Sequence, residues 1–343
     1  MTTIPAEHLA ELSTVGSREA VAHAGVEVRR YDGLEPDTDH EIDGLTFHTL
    51  AEPGERLATV ATVNDVHFGE TECGVVEQDP TVGPVLRSEP GEDPYPEVMN
   101  RAAVDEIAEL DPDLLVVKGD LTAHGTDEEY RAFLAAYEPS FGRRLLHVRG
   151  NHDAYYGESF AAFPAQEVTL AGARLALLDT SIPGLASGGV TADQLDWLDA
   201  LAAESDRPVL VFGHHHVWNP ASAERPDTYF GIHPDASEAL VDLVARRPAV
   251  TGYFAGHTHR NRVRRFAATG EVPWVEVACV KDYPGAWAEY RIHEGGVLQV
   301  FHRISSPAAL AWSEKTRHMF AGLYAGYALG SIDDRCFAIA PRS

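Results

Sequence analysis

Residues 57–67, LATVATVNDVH, are an apolar and β-branched run that breaks at Asn64 and at once offers a carboxylate and an imidazole, Asp65 and His67. A run of this kind reads as a buried strand ending in side chains suited to chemistry. The same pattern recurs four times: DLLVVK is followed by Gly119 and Asp120, LLHVR by GNHD at 150–153, PVLVF by GHHH at 213–216, and TGYFA by GHTH at 256–259. Five strand ends therefore present carboxylate, imidazole or amide groups, the donor set of a metal site. Side chains at the carboxyl ends of neighbouring strands converge on one crevice. The candidates are Asp65, His67, Asp120, Asn151, His214, His257 and His259. Seven donors exceed the needs of one ion. With one bridging carboxylate they supply two ions with four ligands each and leave positions for water, as in two-metal hydrolytic centres with ions about 3.5–4 Å apart. Nitrogen and oxygen donors without thiolate suit iron, manganese, zinc or cobalt, with manganese or an iron/manganese pair favoured.

Outward from these blocks, strand-like runs at 57–64, 113–118, 145–149, 174–180, 208–212, 250–255 and 272–279 alternate with helical patterns. EVMNRAAVDEIAEL, TDEEYRAFLAAYE, TADQLDWLDALAAE and DASEALVDLVARR carry apolar residues three and four apart. Thr126 with Glu129, and Thr191 with Gln194, have capping-box spacing. VTLAGARLALLDT and AEYRIHEGGVLQVFHRI read as hairpins, so antiparallel pairing joins the alternation. The expected fold is α/β (α+β), a four-layer sandwich of two mixed β-sheets flanked by helices, with a dinuclear metal site at the strand C-terminal ends. Residues 57–304 would form this domain, 1–56 an N-terminal extension and 305–343 a helical tail. In the extension a short helix pattern surrounds Leu9 and Leu12, and VEVRRY and LTFHTL read as strands extending a sheet. Residues 68–96, rich in Gly, Pro and acids, form a long loop suited to a lid over the site. Trp312, Phe320, Tyr324 and Tyr327 in the tail are expected to pack in the core or at a dimer contact rather than around a ligand.

The chain has 343 residues, 44% hydrophobic and 23% charged, and no apolar run of the roughly 20 residues that a membrane span requires. The first 20 residues have neither a basic leader nor an apolar core, which points to the cytoplasm. Three scattered cysteines without a CxxC argue against a disulfide framework or a thiolate zinc site. A formal net charge of −26 opposes binding to polyanions, so nucleic acid is not an expected partner.

The five blocks, in this order and at these spacings, resemble the calcineurin-like metallophosphoesterase superfamily over roughly residues 57–280. Carried over by motif position, the resemblance gives Asp65, His67, Asp120 and His259 to one ion and Asp120, Asn151, His214 and His257 to the other, with Asp120 bridging. His214 directly follows Gly213 and takes the ligand position; His215 and His216 are left as structural histidines. His152 resembles the family's non-ligand histidine that contacts the scissile phosphate and protonates the leaving oxygen, with Asp153 orienting it by accepting an imidazole N–H. The chemistry so implied is direct hydrolysis, a hydroxide whose pKa the two cations lower attacking phosphorus in line.

Ala123 stands where purple acid phosphatases carry a tyrosine ligand, and GDLTAHGTDEEYRAFL resembles the GDLT block of bacterial class III cyclic nucleotide phosphodiesterases and glycerophosphodiesterases, with His124 as a departure. The arginine-rich pattern of phosphoprotein phosphatases is missing, although Arg149 precedes Gly150. The resemblance thus implies a small phosphodiester substrate. A phosphomonoesterase acting on a sugar phosphate, nucleotide or phosphoprotein is the alternative, and a non-catalytic scaffold of the same fold a third. Tyr155, Tyr156, His124 and Trp218 adjoin the ligand blocks as candidates to stack on a base or line an alcohol pocket. A homodimer is implied only by family analogy.

Overall fold

The computed structural model describes residues 10–75 and 82–342. In chain order the strands β1 to β5 are Glu11–Val15, Glu19–Ala24, Glu27–Asp32, Asp39–Ile42 and Leu45–His48. Then come β6 (Arg56–Val63), α1 (Tyr95–Leu110), β7 (Leu114–Lys118), α2 (Asp127–Phe141), β8 (Leu145–Val148), β9 (Ala165–Leu170), β10 (Ala173–Leu178), α3 (Ala192–Glu204), β11 (Val209–Phe212), α4 (Pro234–Arg246) and β12 (Val250–Ala255). The chain continues through β13 (Arg262–Arg264), β14 (Trp274–Glu276), β15 (Ala286–His293), β16 (Gly296–Arg303), α5 (Pro307–Thr316), α6 (Tyr324–Leu329), α7 (Ile332–Arg335) and β17 (Phe337–Ile339).

Two six-stranded mixed sheets form the centre, in the orders β17-β16-β15-β6-β7-β8 and β13-β14-β12-β11-β10-β9. Strands β6, β7 and β8 are parallel, as are β10, β11, β12 and β14, while the two expected hairpins, β9–β10 and β15–β16, supply antiparallel pairs. Side-chain alternation along each strand then builds the layers. Leu115 and Val117 of β7 pack with Met99, Ile107, Phe133 and Tyr137 of α1 and α2, whereas Leu114 and Val116 turn the other way to meet Leu210 and Phe212 of β11 between the sheets. Val209 and Val211 in turn face Leu240 and Val244 of α4. The order is helices, sheet, sheet, helices. Both expected capping boxes are present, at Thr126/Glu129 and Thr191/Gln194.

The N-terminal strands differ from the sequence reading. Leu12 lies in β1 and not in a helix; Leu9 falls outside the described residues. A register shift between Leu12 and Thr14 breaks the two-residue alternation that would have marked the strand. Strands β1–β3 form a separate three-stranded sheet and β4–β5 a hairpin, rather than extending either large sheet. Residues 76–81 of the long loop lie outside the described residues; Cys73 and Leu86 on either side of them pair as an antiparallel bridge. Among the described residues no helix is long and apolar enough to cross a membrane.

Candidate metal centre

The carboxyl ends of the parallel strands in both sheets meet at one rim. There β6 delivers Asp65 and His67, β7 Asp120, β8 Asn151, β11 His214 and β12 His257 and His259. The seven side chains stand together. Asp120 is at the middle, its Oδ2 3.4 Å from Nε2 of both His67 and His214. Asp65 Oδ1 lies 3.2 Å from His259 Nε2, and its Oδ2 accepts the His257 backbone N–H at 2.9 Å. Asn151 Oδ1 is 3.2 Å from His214 Nε2, and the His214 and His257 rings are 5.0 Å apart between centroids.

The backbone is bent to achieve this. Asp65, His67, Asp120, His257 and His259 all have φ between 47° and 69°, five of the eleven non-glycine residues in that region among the described residues. Left-handed backbone at such residues costs on the order of 1 kcal/mol each, and persists where the surroundings dictate it. The glycines before the ligands have a steric reason. A Cβ on Gly150 would sit 2.2 Å from Asp120 Oδ1, and one on Gly119 2.6 Å from His214 Nδ1. Below the ligands, buried Lys118 ties the two sheets: its Nζ donates to the Ala255 carbonyl at 2.9 Å while its own carbonyl accepts from His214 Nδ1 at 2.8 Å. Burial pushes that ammonium down to about 7.

The donor set fits divalent cations. Asp65 Oδ1 and both ring nitrogens of His67 are buried without a hydrogen-bond partner, a costly state for polar atoms unless an ion takes them up. Burial would raise the Asp65 and Asp120 carboxyls, yet the neighbouring His259 and His214 hold both below the usual carboxylate range. Burial likewise opposes charge on His214, but Asp120 drives it up to about 9, whereas His257 is pushed down to about 3 by burial and then by His214. Protons on His214 and His259 thus balance the carboxylates, and cations would displace them.

His152 sits beside this cluster, its ring 4.6 Å from that of His67 and its backbone N–H 3.0 Å from Asp120 Oδ1. Asp153 does not orient it. The His152 Nδ1 partner is the Ala123 carbonyl at 2.8 Å, while the fully buried Asp153 carboxylate accepts from the backbone of Leu121, Thr122 and Gly150 and from the Thr122 hydroxyl, at 2.7–3.0 Å. Asp153 therefore pins the GD and GNHD loops to each other. His215 bonds Thr180 Oγ1 at 2.9 Å and His216 the Tyr229 hydroxyl at 2.9 Å, although His215 stands 4.6 Å from the His257 ring. Arg149 is spent on Asp179 at 2.8 Å.

Three site residues escaped the sequence reading. Asp282 Oδ2 lies 3.5 Å from His259 Nδ1, and Lys281 Nζ bridges to Glu70 at 2.6 Å and to Asp282 at 3.5 Å. The signal was there: WVEVACVKD at 274–282 is another apolar run ending in an acid. The cysteines are buried and free, but Cys279 is no bystander, since its thiol, pushed up to about 11 by burial and then by Asp282, donates to Asp282 at 2.9 Å.

Above the ligands opens a cavity of about 600 Å3, within the range of small-molecule sites. Of the four suggested base or alcohol contacts only Tyr155 lines it; His124 pairs with Glu129 at 2.7 Å and, with Tyr156, borders a separate shallow depression, and Trp218 is buried elsewhere. The tail supplies the outer wall instead. Phe320, Tyr324 and Tyr327 line the cavity, whereas Trp312 packs on Tyr95 as expected, 4.3 Å between ring centroids.

A family model described as calcineurin-like phosphoesterase matches residues 58–261. A cAMP/cGMP dual specificity phosphodiesterase of Mycobacterium tuberculosis is 30% identical over 161 residues, covering 44% of this chain and 49% of that protein. A glycerophosphodiester phosphodiesterase of Enterobacter lignolyticus is 30% identical over 182 residues, 47% of this chain and 63% of that protein. The chain thus spans about half of the first relative's length and under two thirds of the second's. In fold, it resembles a dimetal phosphatase of Danio rerio, with a TM-score of 0.54 at 18% identity over 73% of this chain and 97% of that one. With the match extending over more than half its length, this chain belongs to the calcineurin-like phosphoesterase family.

Proposed function

We propose that this protein hydrolyses a small phosphodiester of the 3',5'-cyclic nucleotide or glycerophosphodiester type with the help of two metal ions. The reading rests on one observation above all: seven candidate ligand side chains from two sheets converge, and five of them, His67, Asp120, Asn151, His257 and His259, line one small-molecule cavity together with His152. The similarity to a cyclic nucleotide phosphodiesterase and to a glycerophosphodiester phosphodiesterase supports the diester. Asp65, His67, Asp120 and His259 would hold one ion, and Asp120, Asn151, His214 and His257 the other; the donors suit manganese, iron, zinc or cobalt. Such ions would supply Lewis acidity, acidifying water and offsetting charge on phosphoryl oxygens.

The chain's own groups do the rest. Asn151 Nδ2 donates to the Tyr155 hydroxyl at 2.7 Å, which turns the amide oxygen toward the ligand cluster. The Ala123 carbonyl accepts from His152 Nδ1, which leaves Nε2 to face the leaving oxygen; a ring that carries a second proton there would give it to the departing alkoxide and keep the one on Nδ1. Asp120 accepts the His152 backbone N–H and so keeps that ring in step with the ligands.

The test compares bis(p-nitrophenyl) phosphate with p-nitrophenyl phosphate, using metal-stripped protein refilled with manganese. Metal-dependent cleavage that favours the diester is expected. Asp120→Asn should lose bound metal and activity together, whereas His152→Ala should keep its metal and lose about 100-fold or more in rate. Preference for the monoester would make the protein a phosphatase, and no metal-dependent turnover of either would end the enzymatic reading.

A further inference from the structure

Ten large apolar side chains are well exposed among the described residues, and four of them line the one cavity above the ligands: Val75 at 51%, Phe230 at 56%, Leu323 at 75% and Tyr327 at 45%. Scattered exposed apolar residues need no explanation, but a group gathered around a cavity mouth does. Two of the wall's tyrosines are tied to the site. Tyr324 donates its hydroxyl to Asp282 at 2.5 Å and Tyr327 to the Thr258 carbonyl at 2.9 Å, so both phenols are fastened to the loops that carry the ligands. Phe230 lies flat on the His257 ring, 4.0 Å between centroids at 30°, and its carbonyl accepts from His257 Nε2 at 2.6 Å.

Apart from the candidate metal ligands and the Thr258 hydroxyl, which is buried without a hydrogen-bond partner, the polar groups near this wall are engaged. The two phenols are used as described, Lys281 is neutralised by Glu70 and Asp282, and the Tyr95 hydroxyl donates to Glu70 at 2.7 Å. What the outer wall offers to a ligand is therefore ring faces and aliphatic surface. A ring or other flat apolar group gains from such surfaces, while a polyol loses water there without finding partners in exchange.

We propose that Phe230, Leu323 and Tyr327 determine specificity: they receive a ring-bearing alcohol of the phosphodiester and disfavour a polyol such as glycerol. The proposal rests on the phosphodiesterase reading for where the phosphate lies and narrows it to one substrate class. The occupant is a ligand of the site and not a second copy of the chain, because the apolar residues line the same cavity as the metal candidates.

The experiment is calorimetric titration of the manganese-loaded full chain with diphenyl phosphate and with dimethyl phosphate, in parallel with bis(p-nitrophenyl) phosphate turnover and light scattering. Diphenyl phosphate should bind about 10-fold or more tightly than dimethyl phosphate, and Leu323→Ser and Phe230→Ala should each shrink that ratio to about 3-fold or less. Leu323 is so exposed that its replacement tests the wall without endangering the fold. Equal binding of the two ligands by the parent protein would overturn the proposal, even if bis(p-nitrophenyl) phosphate is cleaved. So would a ratio untouched by both variants, including the case in which Leu323→Ser only dissociates a dimer. A ring preference that both variants abolish, in a protein that turns over nothing, would support the wall while refuting the phosphodiesterase reading.

Discussion

Adding a single methyl group at Gly150 tests whether the glycine of the GNHD block is there to make room for Asp120. A Cβ built on Gly150 falls 2.2 Å from Asp120 Oδ1 and 2.5 Å from its backbone nitrogen, where ordinary contact begins at 3.4 Å. The carboxylate must then retreat by the difference, 3.4 − 2.2 = 1.2 Å. Metal–ligand distances tolerate only about 0.2 Å, so the shift is several times what a bridging ligand withstands. Gly150→Ala should therefore bind half as much metal per chain or less and lose on the order of 100-fold in activity, the usual result of a misplacement of about 1 Å. Overpacking should cost about 1–3 kcal/mol, a fall in Tm of roughly 1–4 °C for a chain of this size. Gly326→Ala is the control. That glycine lies in α6 with nothing within 4 Å of its added Cβ, so the same chemical change should leave stability unaltered or raise it by up to about 1 kcal/mol. Metal analysis by mass spectrometry, turnover and melting of both variants decide the matter. Full metal content and activity within about 3-fold in Gly150→Ala would refute the steric argument.

Asp282→Asn should weaken metal binding by about 10–100-fold, because the carboxylate that faces His259 Nδ1 at 3.5 Å is lost; chelator competition reads it, and a change under about 3-fold would exclude that role. Chelation of the parent protein should lower Tm by roughly 6 °C per site relative to protein held at 1,000 times its dissociation constant, where binding contributes about 4.1 kcal/mol; coincident melts would show that the cluster binds no ion. His23 gives the fold an acid limb. It is buried between the Ser13 and Ser305 hydroxyls, and burial, then the charges of Arg303, Arg30 and Arg335, push it down to about 3. The unfolded chain takes up that proton near pH 6.5, so the contribution of His23 to stability is full above 6.5 and falls by about 1.4 kcal/mol per pH unit between 6.5 and about 3. His23→Gln should lessen the loss of stability between pH 7 and pH 5 in urea unfolding by about that slope, and an identical loss in the variant would place the acid sensitivity elsewhere.

The layers and the ligand cluster were legible because both depend on local pattern. An apolar strand that stops at a glycine or asparagine and then shows an acid or histidine needs no knowledge of its neighbours to be recognised, and parallel order brings such ends together. Where the pattern was disturbed, legibility failed. The irregular register in β1 hid a strand, and Asp282 went unread because it stands in the loop after β14, six residues beyond the last strand residue, Glu276. Asp153 was misassigned for another reason. Its neighbour in sequence is His152, but its four donors come from Leu121, Thr122 and Gly150, and a carboxylate with several backbone N–H groups in reach goes to them.

The cavity wall was illegible for a deeper reason. Trp312, Phe320, Tyr324 and Tyr327 look alike as aromatic residues of a helical tail, and spacing alone assigns all of them to packing. Their partners separate them. Trp312 in α5 stacks on Tyr95 and donates to the Lys281 carbonyl at 2.9 Å, which anchors the tail beside the loop that carries Lys281 and Asp282 between β14 and β15. From that anchor α6 reaches Asp282 through Tyr324 and Thr258 through Tyr327. The segment lies beyond residues 58–261, where the family match ends, yet it touches the backbone between His257 and His259 and the carboxylate facing His259. The part of the chain that follows the family pattern thus carries the candidate ligands and Phe230, while a part outside it adds Leu323, Tyr324 and Tyr327 to the wall of the same cavity. If the wall selects the alcohol as proposed, changes in the tail would alter which alcohol is accepted without altering the candidate ligands, provided that the two phenolic hydrogen bonds are kept.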